Sequence, residues 1–398
     1  MVKRFVVAPD SFKESMSAKE ACEAMARGIR KVFKDAEISL VPMADGGEGT
    51  VDSLVDATEG RRINVEVSGP IPEEKVTAYF GVLGDNKTAV IEMAKANGIE
   101  LLPKERRNPL ITSTYGTGEL IKAALDHGVE KIIIGIGGSV TNDGGAGMAE
   151  ALGVKFLDEN GQSLPQGGGA LNQLVSIDTA ELDPRIKEIE IEVASDVTNP
   201  LTGEHGAAHV FGPQKGATPE MVQQLDSNLK HYAHIIQKDV KKSIEHLPGA
   251  GAAGGLGAGL LAFTNATLRP GIDIVIEINQ LEEQIAEADF IFTGEGGMDF
   301  QTKFGKAPYG VAKVAKHYQK PVFACAGYIG KDVDVLYDEG MTAIFGILSK
   351  AESIDEALKS GALNLERTCE NIARILSLTN EQKSASSILG DILDILSL

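Results

Sequence analysis

The segment that most constrains this chain is residues 135–147 (GIGGSVTNDGGAG), which begins within the apolar run at 132–136. Six of its thirteen residues are glycine. Glycine costs more backbone entropy on folding than any other residue, so a run this dense is retained where the backbone must turn left-handed or approach something closely. Ser139, Thr141, Asn142 and Asp143 stand among the glycines, and a helical pattern follows. Strand, glycine-rich loop and helix N-terminus in that order make a cradle for an anion, because several N–H groups can converge on it. The segment lacks the Gly-Lys-Ser/Thr ending of a P-loop and does not fit Gly-x-Gly-x-x-Gly in register, which argues against a dinucleotide site.

Four further loops repeat the theme of glycine with an acid or a lysine at a strand end. Residues 4–8 read as a buried strand, followed by Asp10, Ser11 and Lys13. A capping box at 17–20 then opens a helix. A second strand at 38–42 leads into Asp45, Gly46, Gly47 and Glu48. A strand ending at residue 194 leads into Asp196 and Asn199, and one at 289–293 leads into Glu295, Asp299 and, further on, Lys303 and Lys306. Phosphoryl transfer needs donors around phosphate oxygens, Mg²⁺ held by carboxylates, and a base for the attacking hydroxyl. These residue types supply all three: Asp196 or Asp45 as the orienting base, Glu295 and Asp299 as metal ligands, and Lys13 with the loop 137–147 against phosphate or a substrate carboxylate. The expected substrate contacts are Asp10, Ser11, Gly46, Gly47, Glu48 and Asn199. The expected phosphate or nucleotide contacts are Gly137, Gly138, Ser139, Thr141, Asn142, Asp143 and Lys306.

Both ends of the chain alternate strand and helix, whereas residues 61–93 alternate short apolar strands. The fold expected is α/β: a Rossmann-like parallel-sheet domain formed from both termini (1–65 and 271–378) and an inserted α/β domain with a mixed sheet (66–270). Residues 249–259 read as a connector or close-approach loop. A helix beginning at Thr218-Pro219 is expected to run to about 247. The tail, 379–398, carries apolar residues on one helical face and reads as a docking or oligomerisation helix, or as a segment foreign to the enzyme, in either case without a catalytic role. The net charge is 38 − 57 = −19, a surface that repels nucleic acid and anionic lipid. Cys22, Cys325 and Cys369 have no paired spacing, and no stretch of 18 apolar residues occurs, so a cytoplasmic setting is expected.

Taken as an ordered set, residues 8–15, 44–50, 135–147, 196–200, 211–217 and 294–296 resemble the bacterial glycerate kinase family, in order from residue 3 to about 376. The resemblance implies ATP- and Mg²⁺-dependent phosphorylation of D-glycerate, with 2-phosphoglycerate favoured over 3-phosphoglycerate. It also implies a two-domain fold with the active site in the cleft between domains. One departure stands out: Gly297 occupies a position where the family usually carries Arg, removing a bidentate anion grip. The rival readings are a phosphatase or mutase acting on a small phosphorylated hydroxy acid, and a non-catalytic hydroxy-acid-binding protein.

Overall fold

A computed structural model describes residues 2–47, 49–351 and 353–396, with side chains described as far as residue 378. The chain opens with strand β1 (Arg4–Val7), a helix over Ala18–Arg30, and β2 (Glu37–Leu40), which lies parallel to β1. The helix starts where the sequence expects it. Ser17 Oγ accepts from Glu20 N at 3.2 Å, and Glu20 Oε2 accepts from Ser17 N at 2.9 Å. That reciprocal cap satisfies N–H groups that no intrahelical carbonyl can reach. Its apolar stripe, including Ala21, Cys22, Met25 and Ile29, is buried.

Eight strands follow: β3 (Arg61–Ser68), β4 (Lys75–Val82), β5 (Thr88–Glu92), β6 (Lys131–Gly135), β7 (Lys155–Leu157), β8 (Ser176–Asp178), β9 (Glu190–Ala194) and β10 (Thr267–Arg269). Six of them form one sheet in the order β10-β9-β6-β5-β4-β3. The pairs β3–β4 and β4–β5 are antiparallel, while β5–β6, β6–β9 and β9–β10 are parallel. The alternating segment of the sequence is thus the antiparallel edge of a mixed sheet, and the continuous apolar runs are its parallel part, covered on both faces. The chain then returns through β11 (Phe290–Met298), β12 (Val322–Ile329) and β13 (Ala343–Gly346), which complete an all-parallel sheet in the order β13-β12-β11-β1-β2.

Two compact units result, one of Met1–Ala44 with Ile276–Leu398 and one of Asp45–Val275. Position 65, where the sequence places the first domain junction, lies within β3; position 271 is the first residue of the helix Gly271–Ile278. Each unit has its own core. Phe5, Met25, Phe292 and Cys325 anchor the first, and Phe80, Ile91, Ile134 and Tyr232 the second. The three cysteines are buried and unbridged.

Three sequence expectations are corrected. Residues 249–259 are not a plain connector: a helix spans Ala252–Phe263, broken by left-handed backbone at Ala253, Gly254 and Gly255. The helix that Thr218 caps ends at Asp239, after which Lys241 adopts a positive φ, so the expected stop near 247 is too late. Finally, residues 294–298 are strand rather than loop, because β12 extends far enough to pair Gly297 with Tyr328 and Met298 with Ile329. The terminal helix Ile354–Leu396 carries most of the tail, whose side chains beyond 378, with the whole of residues 397 and 398, lie outside the described residues.

Candidate active site

The second unit gathers three of the five sequence loops at the carboxyl ends of its parallel strands, the place where open α/β sheets bind ligands. A cavity of about 420 Å³ there is lined by Asp45, Gly46 and Gly47 from one loop, Gly137–Ser139 after β6, and Ser195–Val197 after β9. Close backbone contact fixes the arrangement. A Cβ on Gly46, whose φ is +91°, would lie 2.8 Å from Gly271 Cα, and one on Gly271 would lie 2.1 Å from Asp45 O. The two glycines let the Asp45 loop rest on the N-terminus of the helix that follows β10. Buried Glu92, at the end of β5, tethers the next element by accepting from Val51 N at 2.8 Å.

Asp196 sits in the field of that helix N-terminus: its Oδ1 accepts from Gly271 N at 3.1 Å. The surrounding protein strips water from its carboxyl and raises its pKa to about 6. The Gly271 hydrogen bond opposes that rise, while the negative charges of Asp45 and Asp273 add to it. A carboxylate with that pKa is mostly ionised at neutral pH yet basic enough to take a hydroxyl proton. Asp45 Oδ1 accepts from Gly47 N at 3.0 Å, closing its own loop.

The glycine-rich loop divides into two parts. Gly137, Gly138 and Ser139 face the cavity; Thr141, Asn142 and Asp143 are fully buried beneath it. Asp143 is an anchor. It accepts from Thr114 N and Oγ1 (2.8 Å each), Gly145 N (3.1 Å) and Gly147 N (3.2 Å), holding the start of the helix Ala146–Ala151. Burial nevertheless pushes its pKa up, against those four donors. Thr141 Oγ1 and both polar side-chain atoms of Asn142 lack a protein partner. The broken helix explains why this loop can lie so deep: a Cβ on Gly254 would sit 2.0 Å from Thr141 O, and one on Gly259 2.8 Å from Gly145 Cα.

In the first unit, β1 and β11 are neighbours from which the sheet order runs in opposite directions, a topological switch point. Asp10 and Lys13 follow β1. Asp10 N donates to Gly294 O at 2.8 Å, and Asp10 Oδ1 accepts from Ser11 N at 2.6 Å; Lys13 is exposed. Glu295, 7% exposed near the end of β11, accepts from Thr302 Oγ1 at 2.8 Å and pairs with Lys306 Nζ at 3.1 Å. Asp299 caps the turn Phe300–Lys303, accepting from Gln301 N at 2.8 Å. Among the described residues no cluster of three metal-ligating His, Cys, Asp or Glu side chains occurs.

This geometry accompanies a close likeness to known proteins. A family model described as the Glycerate kinase family matches residues 5–377. The glycerate kinase of Halalkalibacterium halodurans is 53% identical over 372 residues, 94% of this chain and 98% of that protein. The chain belongs to the glycerate kinase family. The glycerate 2-kinase of Escherichia coli is 51% identical over 94% of this chain and 98% of that protein. A crystal structure described as glycerate kinase 2 from Salmonella typhimurium LT2 superposes with a TM-score of 0.87 at 49% identity, covering 95% of this chain and 99% of that one. The family makes the chain an enzyme, a phosphotransferase of the kinase class.

Gly297, where the resemblance leads one to expect an arginine, lies beside a lysine. Lys306 Nζ reaches Gly297 O at 3.4 Å beside its pairing with Glu295. A Cβ at Gly297 would meet only Tyr328 Cδ1, at 3.8 Å, so the site has room for a side chain. Asn199 does not face the cavity: its Nδ2 donates to His205 O at 2.8 Å. Glu48 lies outside the described residues. The sequence reading gave no role to Lys215, which lines the cavity although only 1% exposed. The signal that could have found it is its place in the segment 211–217, one of those that carry the family resemblance.

Proposed function

We propose that the enzyme transfers the terminal phosphoryl group of ATP to D-glycerate, giving 2-phosphoglycerate, as a step of organic acid metabolism. The observation that carries the reading is the joint placement of Asp45, Asp196 and the Gly137–Ser139 backbone around one cavity at strand ends. The 2-phosphate is favoured by the likeness to the Escherichia coli glycerate 2-kinase. In this account Asp196 accepts a hydrogen bond from the substrate hydroxyl, orients it toward the phosphorus and takes its proton as the new P–O bond forms and ADP departs. The Gly137, Gly138 and Ser139 segment holds an anionic group by hydrogen bonding. In the first unit, Asp10, Ser11, Lys13, Glu295 and Lys306 lie at a sheet switch point suited to nucleotide or phosphate.

Mg²⁺ prefers hard oxygen donors. Both oxygens of Glu295 are engaged, by Thr302 and Lys306, and Asp299 caps a turn, so those two fit a metal less well than the carboxylates of the cavity. Asp45 would hold the ion, which would neutralise phosphate charge there and leave Asp196 to act as the base. The two compact units are read as the two domains, acting in the cytoplasm on small molecules; the buried, unbridged cysteines suit a reducing compartment.

The test is ADP release with D-glycerate by the native chain and by Asp196→Asn and Asp45→Asn. Near-native rates in both variants would remove the base assignment. No ADP release by the native chain with any hydroxy acid would remove the kinase reading.

A further inference from the structure

The cavity of the second unit presents a charge problem. A hydroxy acid is an anion, yet Asp45 and Asp196 are both acidic and line the same space. Among the described residues that line it, Lys215 is the sole cation. Its position is built rather than incidental. The helix Ala207–Phe211 runs into a turn over Pro213–Lys215, which Gly216 ends at φ +92°. A Cβ on Gly216 would lie 2.3 Å from Arg107 O, so the turn is pressed against its surroundings.

The ammonium reaches inward. Lys215 Nζ donates to Ser139 Oγ at 2.7 Å and to Thr141 O at 2.8 Å, both on the glycine-rich loop after β6. An ammonium carries three donors, so one remains for a ligand. Among the described residues, no carboxylate lies within ion-pair distance of it. A fully buried cation without a paired anion is costly, and folds retain one where a ligand supplies the missing charge. Burial accordingly pushes its pKa down to about 7, with Asp143 pulling the other way.

We infer that Lys215, steadied by Ser139, is the specificity-determining receptor for the carboxylate of the acid substrate, opposite the carboxylate side chains that handle the hydroxyl. This rests on the reading of the cavity as the hydroxy-acid site and adds which group selects an acid over an uncharged polyol or amide. An ammonium at the floor of the cavity offsets the repulsion from Asp45 and Asp196, and the substrate carboxylate supplies the counter-charge that buried Lys215 otherwise lacks. Glyceramide, of nearly the same shape and without the charge, leaves Lys215 buried and unpaired, which the site should reject.

The experiment compares D-glycerate with glyceramide, and D-glycerate KM with ATP KM, in the native chain, Lys215→Met and Ser139→Ala, with thermal unfolding followed for each. For Lys215→Met the expected result is a rise of about 100-fold in D-glycerate KM, a change of less than about threefold in ATP KM, and loss of most of the preference for glycerate over glyceramide. Ser139→Ala, which keeps the charge and loses one tether, is expected to raise D-glycerate KM by about five- to tenfold and leave ATP KM unchanged. If Lys215→Met does not fold, Ser139→Ala carries the test, and an unchanged D-glycerate KM there overturns the inference. A folded Lys215→Met that keeps its preference for glycerate, or that raises ATP KM instead, also overturns it. A native chain that turns over no D-glycerate overturns the functional reading itself, and this inference with it.

Discussion

Asp196 concentrates the account at the scale of the residue. The sequence marks it as a strand-end acid beside Asp45 as an equal candidate; only the folded surroundings separate the two, by stripping water from Asp196 and placing Gly271 N on its Oδ1. A base with a pKa raised to about 6 must be ionised to work, so kcat/KM for D-glycerate is expected to fall below about pH 6, and its pH profile measures this. The same shift has a stability consequence of definite sign. The folded state holds the Asp196 proton more tightly than the unfolded state, where the usual value is 3.8, so its contribution to stability is lost as pH rises from about 4 to about 6. Asp196→Asn should therefore lower kcat by about 10²- to 10⁴-fold, with no fall in melting temperature at pH 7. A stability loss as large as the activity loss would mark Asp196 as structural. Gly297 offers a gain-of-function test. It has no positive φ and has open space at its Cβ, so Gly297→Arg should fold normally and lower the KM of one anionic substrate, read by titrating ATP and D-glycerate separately. Lys215 shows what a sequence hides at this scale: it lies in the family-like segment 211–217, yet its burial is a tertiary property that the segment alone does not reveal.

At the scale of elements, strands followed by glycine-rich loops were legible because hydrophobic period and turn chemistry are local. The helix caps at Ser17 and Thr218 also stood where their side chains predict. The misreadings have a common cause in partners distant along the chain. β11 continues through three glycines only because β12 is there to receive its hydrogen bonds, and residues 252–263 turn helical where small side chains pack against 141–145. That packing makes a prediction. Gly254 has φ +68°, and an added Cβ would lie 2.0 Å from Thr141 O, so Gly254→Ala combines a left-handed strain with a backbone clash. It should destabilise the protein by roughly 3 kcal/mol or more and shift the glycine-rich loop, seen as a lowered melting temperature and a lower kcat/KM. An unchanged melting temperature would show that the loop is not held from beneath.

At the scale of the whole molecule, the net charge of −19 sets the company the protein keeps. Long-range repulsion opposes polyanions, whereas a cavity lined by the glycine-rich loop and a lysine can still take a small anion. Neither duplex DNA nor anionic vesicles should bind measurably at 0.15 M salt, about a Debye length of 8 Å, in a sedimentation or fluorescence assay. No helix of the described residues is long and apolar enough to cross a membrane. Two compact units, each with strand-end loops rich in glycine and acids, account for why the resemblance runs through nearly the whole chain rather than one motif. Phosphorus NMR of the products formed from ATP and D-glycerate reads the proposed transfer to the 2-hydroxyl at its outcome. ADP and 2-phosphoglycerate in equal amounts are expected; 3-phosphoglycerate, or free phosphate with no phosphoglycerate, would overturn it.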